Sequence, residues 1–231
     1  MLFREFDRKE YEYYFNTKIK NLELDVKEKS AIAKFRVKGN EDEYILAWTT
    51  TPWTLPSNVA LCVNPVEDYV KVKVSVNAKG DVVKEGEEDT AVKTEYYILA
   101  EALLSVIDGK YEIVEKYVGK DLEYTEYEPL FDYVQPTKKA YYVVCDSYVT
   151  LTDGTGVVHI APAYGEDDSI VGKNYDLPVV NLVKLDGTFD ERVREDWQGR
   201  FVKKVDKDIL ADLKDRGLLF DTEMYTHSYP H

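Results

Sequence analysis

The stretch Trp48-Thr49-Thr50-Thr51-Pro52-Trp53-Thr54-Leu55-Pro56-Ser57-Asn58 constrains the fold more tightly than any other part of the chain. It follows a short apolar run, Tyr44-Ile45-Leu46-Ala47, of the kind that forms a buried strand. Pro52 and Pro56 have no N–H to give to a ladder, so the strand has to stop near Thr51 and the chain has to turn there. A strand that ends this way leaves a rim of hydroxyls and unpaired backbone N–H groups. That rim suits a ligand rich in hydroxyls and carbonyls, such as a ribose carrying an ester. Threonine is also an ordinary strand residue, so a threonine-rich edge strand entering a proline-rich loop fits the same residues.

Elsewhere the residues favour strands. Ala31, Ala33, Phe35 and Val37 fall on one face of an alternating segment, and Val70, Val72, Val74 and Val76 alternate with Lys71, Lys73 and Ser75. Segments 110–118 and 140–149 read as further strands, and the polar, glycine-containing segment 77–90 as a surface loop. Two segments look helical. Tyr96 to Ile107 places Leu99, Leu103 and Val106 at helical spacing before Gly109, and Asp206 to Leu219 places Ile209, Leu210 and Leu213 on one face before Gly217. The expected class is α+β, predominantly β, as a closed or nearly closed β-barrel decorated with helices. The chain is expected to be a single domain over 1–231, with connective segments at about 1–25 and 220–231.

Composition removes several function classes. No run of about 18 apolar residues exists to cross a membrane, and Met1-Leu2-Phe3-Arg4-Glu5-Phe6-Asp7 lacks the features of a signal peptide. Cys62 and Cys145 have no CxxC spacing, which argues for a reduced, cytoplasmic setting with small buried thiols rather than a disulfide or zinc framework. His227 and His231 have the spacing of half a zinc site but no cysteine pair to complete it. Gly154-Thr155-Gly156 is too short for a phosphate loop and follows Asp153 as a hairpin turn would. No metal or cofactor is expected.

Two blocks carry a resemblance. Trp48 to Asn58 resembles the threonine-rich peptide in the editing domain of isoleucyl-tRNA synthetase. Asp153-Gly154-Thr155-Gly156-Val157-Val158-His159-Ile160-Ala161-Pro162-Ala163-Tyr164-Gly165-Glu166-Asp167-Asp168 resembles the segment that faces it across the editing pocket. Thr226-His227-Ser228-Tyr229-Pro230-His231 is similar to the point where that insertion rejoins the catalytic domain. Leucyl and valyl editing domains usually carry Thr-Thr-Arg-Pro followed by an acid and threonine in the first block. This chain has Pro52-Trp53-Thr54 and no arginine, and His159 where the leucyl family tends to have methionine. Neither His-x-Gly-His nor Lys-Met-Ser-Lys-Ser is present, so activation of an amino acid with ATP is not expected of this chain.

The resemblance implies hydrolysis of mischarged valyl-tRNA(Ile) by a positioned water, in a pocket that excludes isoleucine. On that basis Asp168 holds the substrate's α-ammonium, and Thr49, Thr50, Thr51 and Thr54, with Asn58, arrange the water, ester and ribose. Trp53 walls the pocket or stacks on the terminal adenine, and His159 restricts the pocket to valine-sized side chains. Each has a plainer counterpart: Glu166, Asp167 and Asp168 as first-turn acids of a helix, Trp53 as core, His159 as a satisfied strand histidine. Tyr164 stands where some family members carry histidine. No serine–histidine–carboxylate set is evident, so no covalent intermediate is expected. A metal-dependent hydrolase using His159 with Asp167 and Asp168, a leucyl- or valyl-type editing domain, and a non-catalytic module binding the tRNA 3′ end are the alternatives. A formal net charge of −14 is wrong for gripping RNA by its phosphates. The expected partners are therefore the 3′ end of mischarged tRNA and the remainder of a synthetase that holds the tRNA body, with the fragment itself monomeric.

Overall fold

The apolar run ahead of the threonines becomes the strand about which the sheet is organised. The computed structural model describes residues 24–84, 86 and 90–229. Strand β1 (Leu24–Arg36) runs antiparallel to β2 (Glu43–Thr49), with Ala31 opposite Thr49 and Arg36 opposite Tyr44. The other edge of β2 is shared between two parallel neighbours. Its first half, Glu43–Ile45, pairs with β5 (Lys93–Ala100), and Trp48 near its end pairs with β8 (Val157–Ile160). From β5 the sheet continues antiparallel through β4 (Asp68–Val76) to β6 (Tyr111–Val118). From β8 it continues antiparallel to β3 (Ala60–Val63), then parallel to β7 (Tyr142–Cys145). Strand β9 (Leu219–Tyr229) pairs with β1.

This nine-stranded sheet is a curled half-barrel. Among the described residues β6, β7 and β9 are its ends and no two of them pair, so the sheet stays open where the sequence led to a closed or nearly closed barrel. Residues Ser30–Thr222 form one compact unit, and the described residues 24–29 and 223–229 belong to a second. Residues 1–23 and Pro230-His231, which carry most of the expected connective segments, lie outside the described residues, as do parts of the 77–90 loop.

The hand-over from β5 to β8 along β2 is made by Gly154-Thr155-Gly156. The Thr155 hydroxyl donates to the Leu46 carbonyl at 2.7 Å, and its own carbonyl accepts from the Ala100 N–H at 2.9 Å. Both glycines have positive φ, +71° and +72°. A Cβ on Gly154 would lie 2.6 Å from the Trp48 ring, and one on Gly156 would lie 2.5 Å from the Ala100 Cβ. Backbone conformation and close approach together require glycine at both positions. The segment is therefore a wedge between two strands rather than a simple hairpin turn.

Alternation in β4 is realised as read: Val70, Val72, Val74 and Val76 are buried against Tyr97 and Leu99 of β5. That pairing also explains why 96–107 is not a helix. Strand β5 occupies it to Ala100, and only a 3-10 turn, Glu101–Val106, follows. A short apolar run cannot distinguish strand from helix by spacing alone, and here the ladders on both sides decide it. The second helical reading holds, shifted towards the N-terminus. Helix α2 (Val202–Asp215) buries Val202, Val205, Ile209, Leu210 and Leu213. Gly217 at φ +68° and the Leu218 N–H to Leu213 carbonyl bond of 2.7 Å end it in a Schellman motif. Helix α1 (Glu166–Asn174) follows β8 after a five-residue connection.

The wedge predicts an unequal pair of substitutions. Gly156→Ala should lower unfolding free energy by about 2–5 kcal/mol, since left-handed strain and overpacking add. Gly199→Ala, also at positive φ (+68°) but with nothing within 4 Å of the new Cβ, should lose only about 1–2 kcal/mol. Urea denaturation of the two variants checks this, and equal losses would mean that the Ala100 contact does not matter.

Candidate functional site

Where β2 ends, Thr49 to Thr51 run into a 3-10 turn, Pro52–Ser57, and the turn folds the threonine hydroxyls back towards β8. Pro52 opens the turn without an N–H to satisfy, and the Thr54 N–H closes onto the Thr51 carbonyl at 3.0 Å. His159 of β8 sits opposite. Its Nε2 lies 3.0 Å from the Thr54 hydroxyl and 3.3 Å from that of Thr49. The Thr51 hydroxyl is 3.3 Å from Thr54 and 3.5 Å from Thr49, and its N–H donates to the Thr49 hydroxyl at 3.0 Å.

Counting protons assigns a histidine tautomer. Thr54 has one hydroxyl proton, which goes to the Thr51 carbonyl at 2.8 Å. With the proton placed there, the Thr54 oxygen accepts from its other neighbours and His159 Nε2 is assigned the proton, donating to it. Nδ1 is left a buried acceptor with no hydrogen-bond partner among the described residues. His159 is buried, and that burial holds its pKa down to about 4. At neutral pH the ring is an uncharged donor to the threonine cluster.

Asp168 completes the cleft from the first turn of α1. Glu166 and Asp167 on the same turn are exposed, whereas Asp168 is half-buried and its Oδ2 accepts the Ala161 N–H at 2.8 Å. Burial raises its pKa above the usual aspartate value; the Ala161 bond opposes that rise and the neighbouring Asp167 adds to it. Gly165 keeps the approach open, since a Cβ there would stand 3.0 Å from the Asp168 carboxyl carbon.

These groups line one cleft of about 200 Å3, with Thr49, Thr50, Thr51, Thr54, His159 and Asp168 sharing it with Trp48, Val158, Ala161, Tyr164 and Gly165. With His159 neutral, Asp168 is the one charged side chain of that lining. Thr50 lines the cleft, and its hydroxyl makes no hydrogen bond to the described residues. Such a lining suits a cationic group beside a short apolar moiety, with hydroxyls around it.

Two expected substrate-binding residues are placed elsewhere. Both ends of the Asn58 amide are taken up inside the protein: Oδ1 accepts from the Tyr127 hydroxyl at 2.6 Å, and Nδ2 donates to the Ala60 carbonyl at 2.8 Å. It ties the turn to the core and does not line the cleft. The Trp53 ring packs edge-on to Tyr164, with centroids 5.0 Å apart, and against the main apolar cluster, so it stands behind the cleft wall. Tyr164 is the lining residue whose part the sequence did not reveal. Its hydroxyl accepts the Leu182 N–H at 2.9 Å and lies 3.2 Å from both Ser57 Oγ and Asn181 Oδ1. No three His, Cys, Asp or Glu side chains stand together as metal ligands among the described residues.

A neutral buried His159 has a pH signature. Its folded pKa is below the unfolded value near 6.5, so the folded state binds fewer protons. The stability it contributes is present above about pH 6.5 and is lost as pH falls towards 4, a change on the order of 3 kcal/mol. Ring NMR of the folded chain should show Nε2 protonated and Nδ1 bare down to about pH 5, and His159→Gln should flatten the acid side of the stability profile. A ring that titrates near pH 6.5 would contradict the burial argument.

No family model matches the chain. It is similar over 207 residues, 90% of its length, to isoleucine–tRNA ligase of Clostridium acetobutylicum at 54% identity, and over 217 residues to that of Pyrococcus horikoshii at 39%. It spans 18% and 19% of those proteins' lengths. Among solved structures, the P. knowlesi cytosolic leucyl-tRNA synthetase editing domain matches with a TM-score of 0.64 at 13% identity, covering 88% of this chain and 98% of that one. A P. falciparum counterpart matches with a TM-score of 0.60 at 11% identity, covering 84% and 98%. The chain is a homologue of a segment of the isoleucine–tRNA ligases and has the fold of the synthetase editing domains.

Proposed function

We propose that the threonine cleft hydrolyses the ester of mischarged valyl-tRNA(Ile) and spares isoleucyl-tRNA(Ile). The observation that carries this reading is the cleft's single charge, Asp168, set across from a neutral, hydroxyl-bonded His159 in about 200 Å3. An aminoacyl ester brings one ammonium, one small side chain and a ribose with free hydroxyls. Asp168 keeps one carboxylate oxygen tied to Ala161, and the other is available to the ammonium. A charge-assisted bond of that kind is roughly twice as strong as a neutral one.

The chain's own groups then position rather than attack. Thr49, Thr50 and Thr51 hold water and ester within reach, and no side chain in the cleft is both basic and free to take a proton from a threonine. His159 at neutral pH has its Nε2–H committed to threonine oxygens, so it serves as a wall and a donor. Water attack assisted by positioning, with no covalent intermediate, is the economical chemistry. Trp48, Val158, Ala161 and Tyr164 supply apolar surface for a short side chain. One methylene in an apolar pocket discriminates by only about 1–3 kcal/mol, for which isoleucyl-tRNA synthetase is a standard example, so a second selection step has a purpose.

In this reading residues 30–222 are the editing unit, and the flanking segments join it to a synthetase that holds the tRNA body in the cytoplasm. The chain's net charge of −14 supports that division, since an acidic surface binds phosphates poorly.

Two variants test the assignment with valyl- and isoleucyl-tRNA as substrates. Asp168→Ala should lose about 10- to 150-fold in valyl-tRNA hydrolysis, the equivalent of one hydrogen bond to a charged group. His159→Ala should gain hydrolysis of isoleucyl-tRNA, by removing the wall that an extra methyl would meet. Full activity in a folded Asp168→Ala chain would sink the ammonium assignment. Loss of valyl-tRNA hydrolysis in His159→Ala with no gain on isoleucyl-tRNA would sink the sieve.

A further inference from the structure

The threonine turn is held from outside the cleft. A 3-10 turn leaves the N–H groups at its start without partners inside the turn. Pro52 has none to offer, and Thr54 reaches back to Thr51, which leaves the Trp53 N–H. Its partner is Asp206 Oδ1 at 2.8 Å, from a residue 153 positions further along the chain. Asp206 lies on α2, in line with the buried Val202, Ile209 and Leu213 at helical spacing. An acid in an apolar stripe opposes burial unless it is hydrogen-bonded. Here it points at the backbone of the turn that carries Thr51 and Thr54.

We propose that Asp206 is a positioning residue for the cleft: by accepting the Trp53 N–H it fixes the turn, and with it the approach of the Thr54 hydroxyl to His159. The chain of contacts is short. Trp53 is adjacent to Thr54, and the Thr54 oxygen is 3.0 Å from His159 Nε2. Asp206 itself does not line the cleft. The Trp53 ring adds a second anchor through Tyr164, whose centroid is 5.0 Å away, so the turn is gripped at its Trp53 N–H by the Asp206 carboxylate of α2 and at its Trp53 ring by the cleft wall. A carboxylate suits the task because its bond to a backbone N–H is charge-assisted. The kinetic consequence rests on the editing reading; the structural one does not.

The test uses the whole 231-residue chain with the acceptor removed or kept. Asp206→Ala removes it, and alanine is a good helix residue, so α2 should form. Asp206→Leu removes it while extending the apolar stripe, and Asp206→Asn keeps a neutral acceptor. In the Ala and Leu variants the Trp53 amide should exchange with solvent at least about tenfold faster, as expected for loss of a hydrogen bond to a charged group. The His159 Nε2 proton signal should also shift or broaden. Valyl-tRNA hydrolysis should fall about tenfold in kcat with KM unchanged, because the substrate's ammonium site at Asp168 is untouched. Asp206→Asn should restore all three readings to within about threefold. Unchanged Trp53 exchange and an unchanged His159 signal in folded Ala and Leu variants would overturn the proposal. So would shifted signals with an unchanged kcat. A wild-type chain that hydrolyses no aminoacyl ester removes the editing reading, and the spectroscopic pair then decides Asp206 by itself.

Discussion

Everything near the cleft depends on how one edge of β2 is divided. A strand edge normally feeds one neighbour, but β2 gives its first half to β5 and its end to β8, with Thr155 bridging the gap between them. Because β8 enters only at Trp48, His159 arrives level with the last residue of β2, Thr49, and the turn beyond. Had β5 continued to the end of the strand, its side chains would occupy the place that His159 takes. The two glycines flanking Thr155 let the backbone squeeze between Trp48 and Ala100. The prolines that follow then stop the strand where the hydroxyls are needed.

The electrostatics of the cleft follow from that packing. Burial between strands strips His159 of its charge, and the same environment leaves Asp168 as the cleft's one ionisable anion. A neutral imidazole and an acid with a raised pKa could form a base–nucleophile pair if they faced each other. They do not: His159 Nε2 faces threonine oxygens, and Asp168 faces the Ala161 N–H. The arrangement binds and orients, which fits ester hydrolysis by water better than attack by a side chain. The raised carboxyl pKa also has a use, since an ammonium brought beside Asp168 restores the charge that burial disfavours.

Much of the cleft was legible in the sequence because its chemistry is local. The threonines and prolines of 48–56 mark a strand end by their own covalent properties, whereas the glycines around Thr155 read as a hairpin turn and only the structure shows the close approach they serve. The valine alternation in β4 and the apolar face of α2 were readable for the same reason. What escaped depends on distant partners. Segment 96–107 carries a helical pattern, and only the ladders to β4 and β2 make its first half a strand. Asn58 is polar beside the threonines, yet Tyr127 and Ala60 claim it. Trp53 takes the plainer of its two readings, packed against the core behind the wall, and Tyr164, for which the sequence suggested no place, lines the cleft. Asp206 opens the helical segment read from the sequence; only the observed start at Val202 sets it within the apolar stripe, and nothing local says which backbone N–H it meets. Barrel closure depends on whether the end strands β6, β7 and β9 meet, which no spacing within any one of them encodes.

The central claim is that this cleft selects an ester by the size of its side chain while holding its ammonium. The most direct measurement is single-turnover hydrolysis of valyl-tRNA(Ile) and isoleucyl-tRNA(Ile) by the wild-type chain, compared at equal concentration. Rapid release of valine with isoleucyl-tRNA(Ile) left intact is the predicted result. Equal rates on the two esters, or no hydrolysis of either above the rate in buffer, would contradict it.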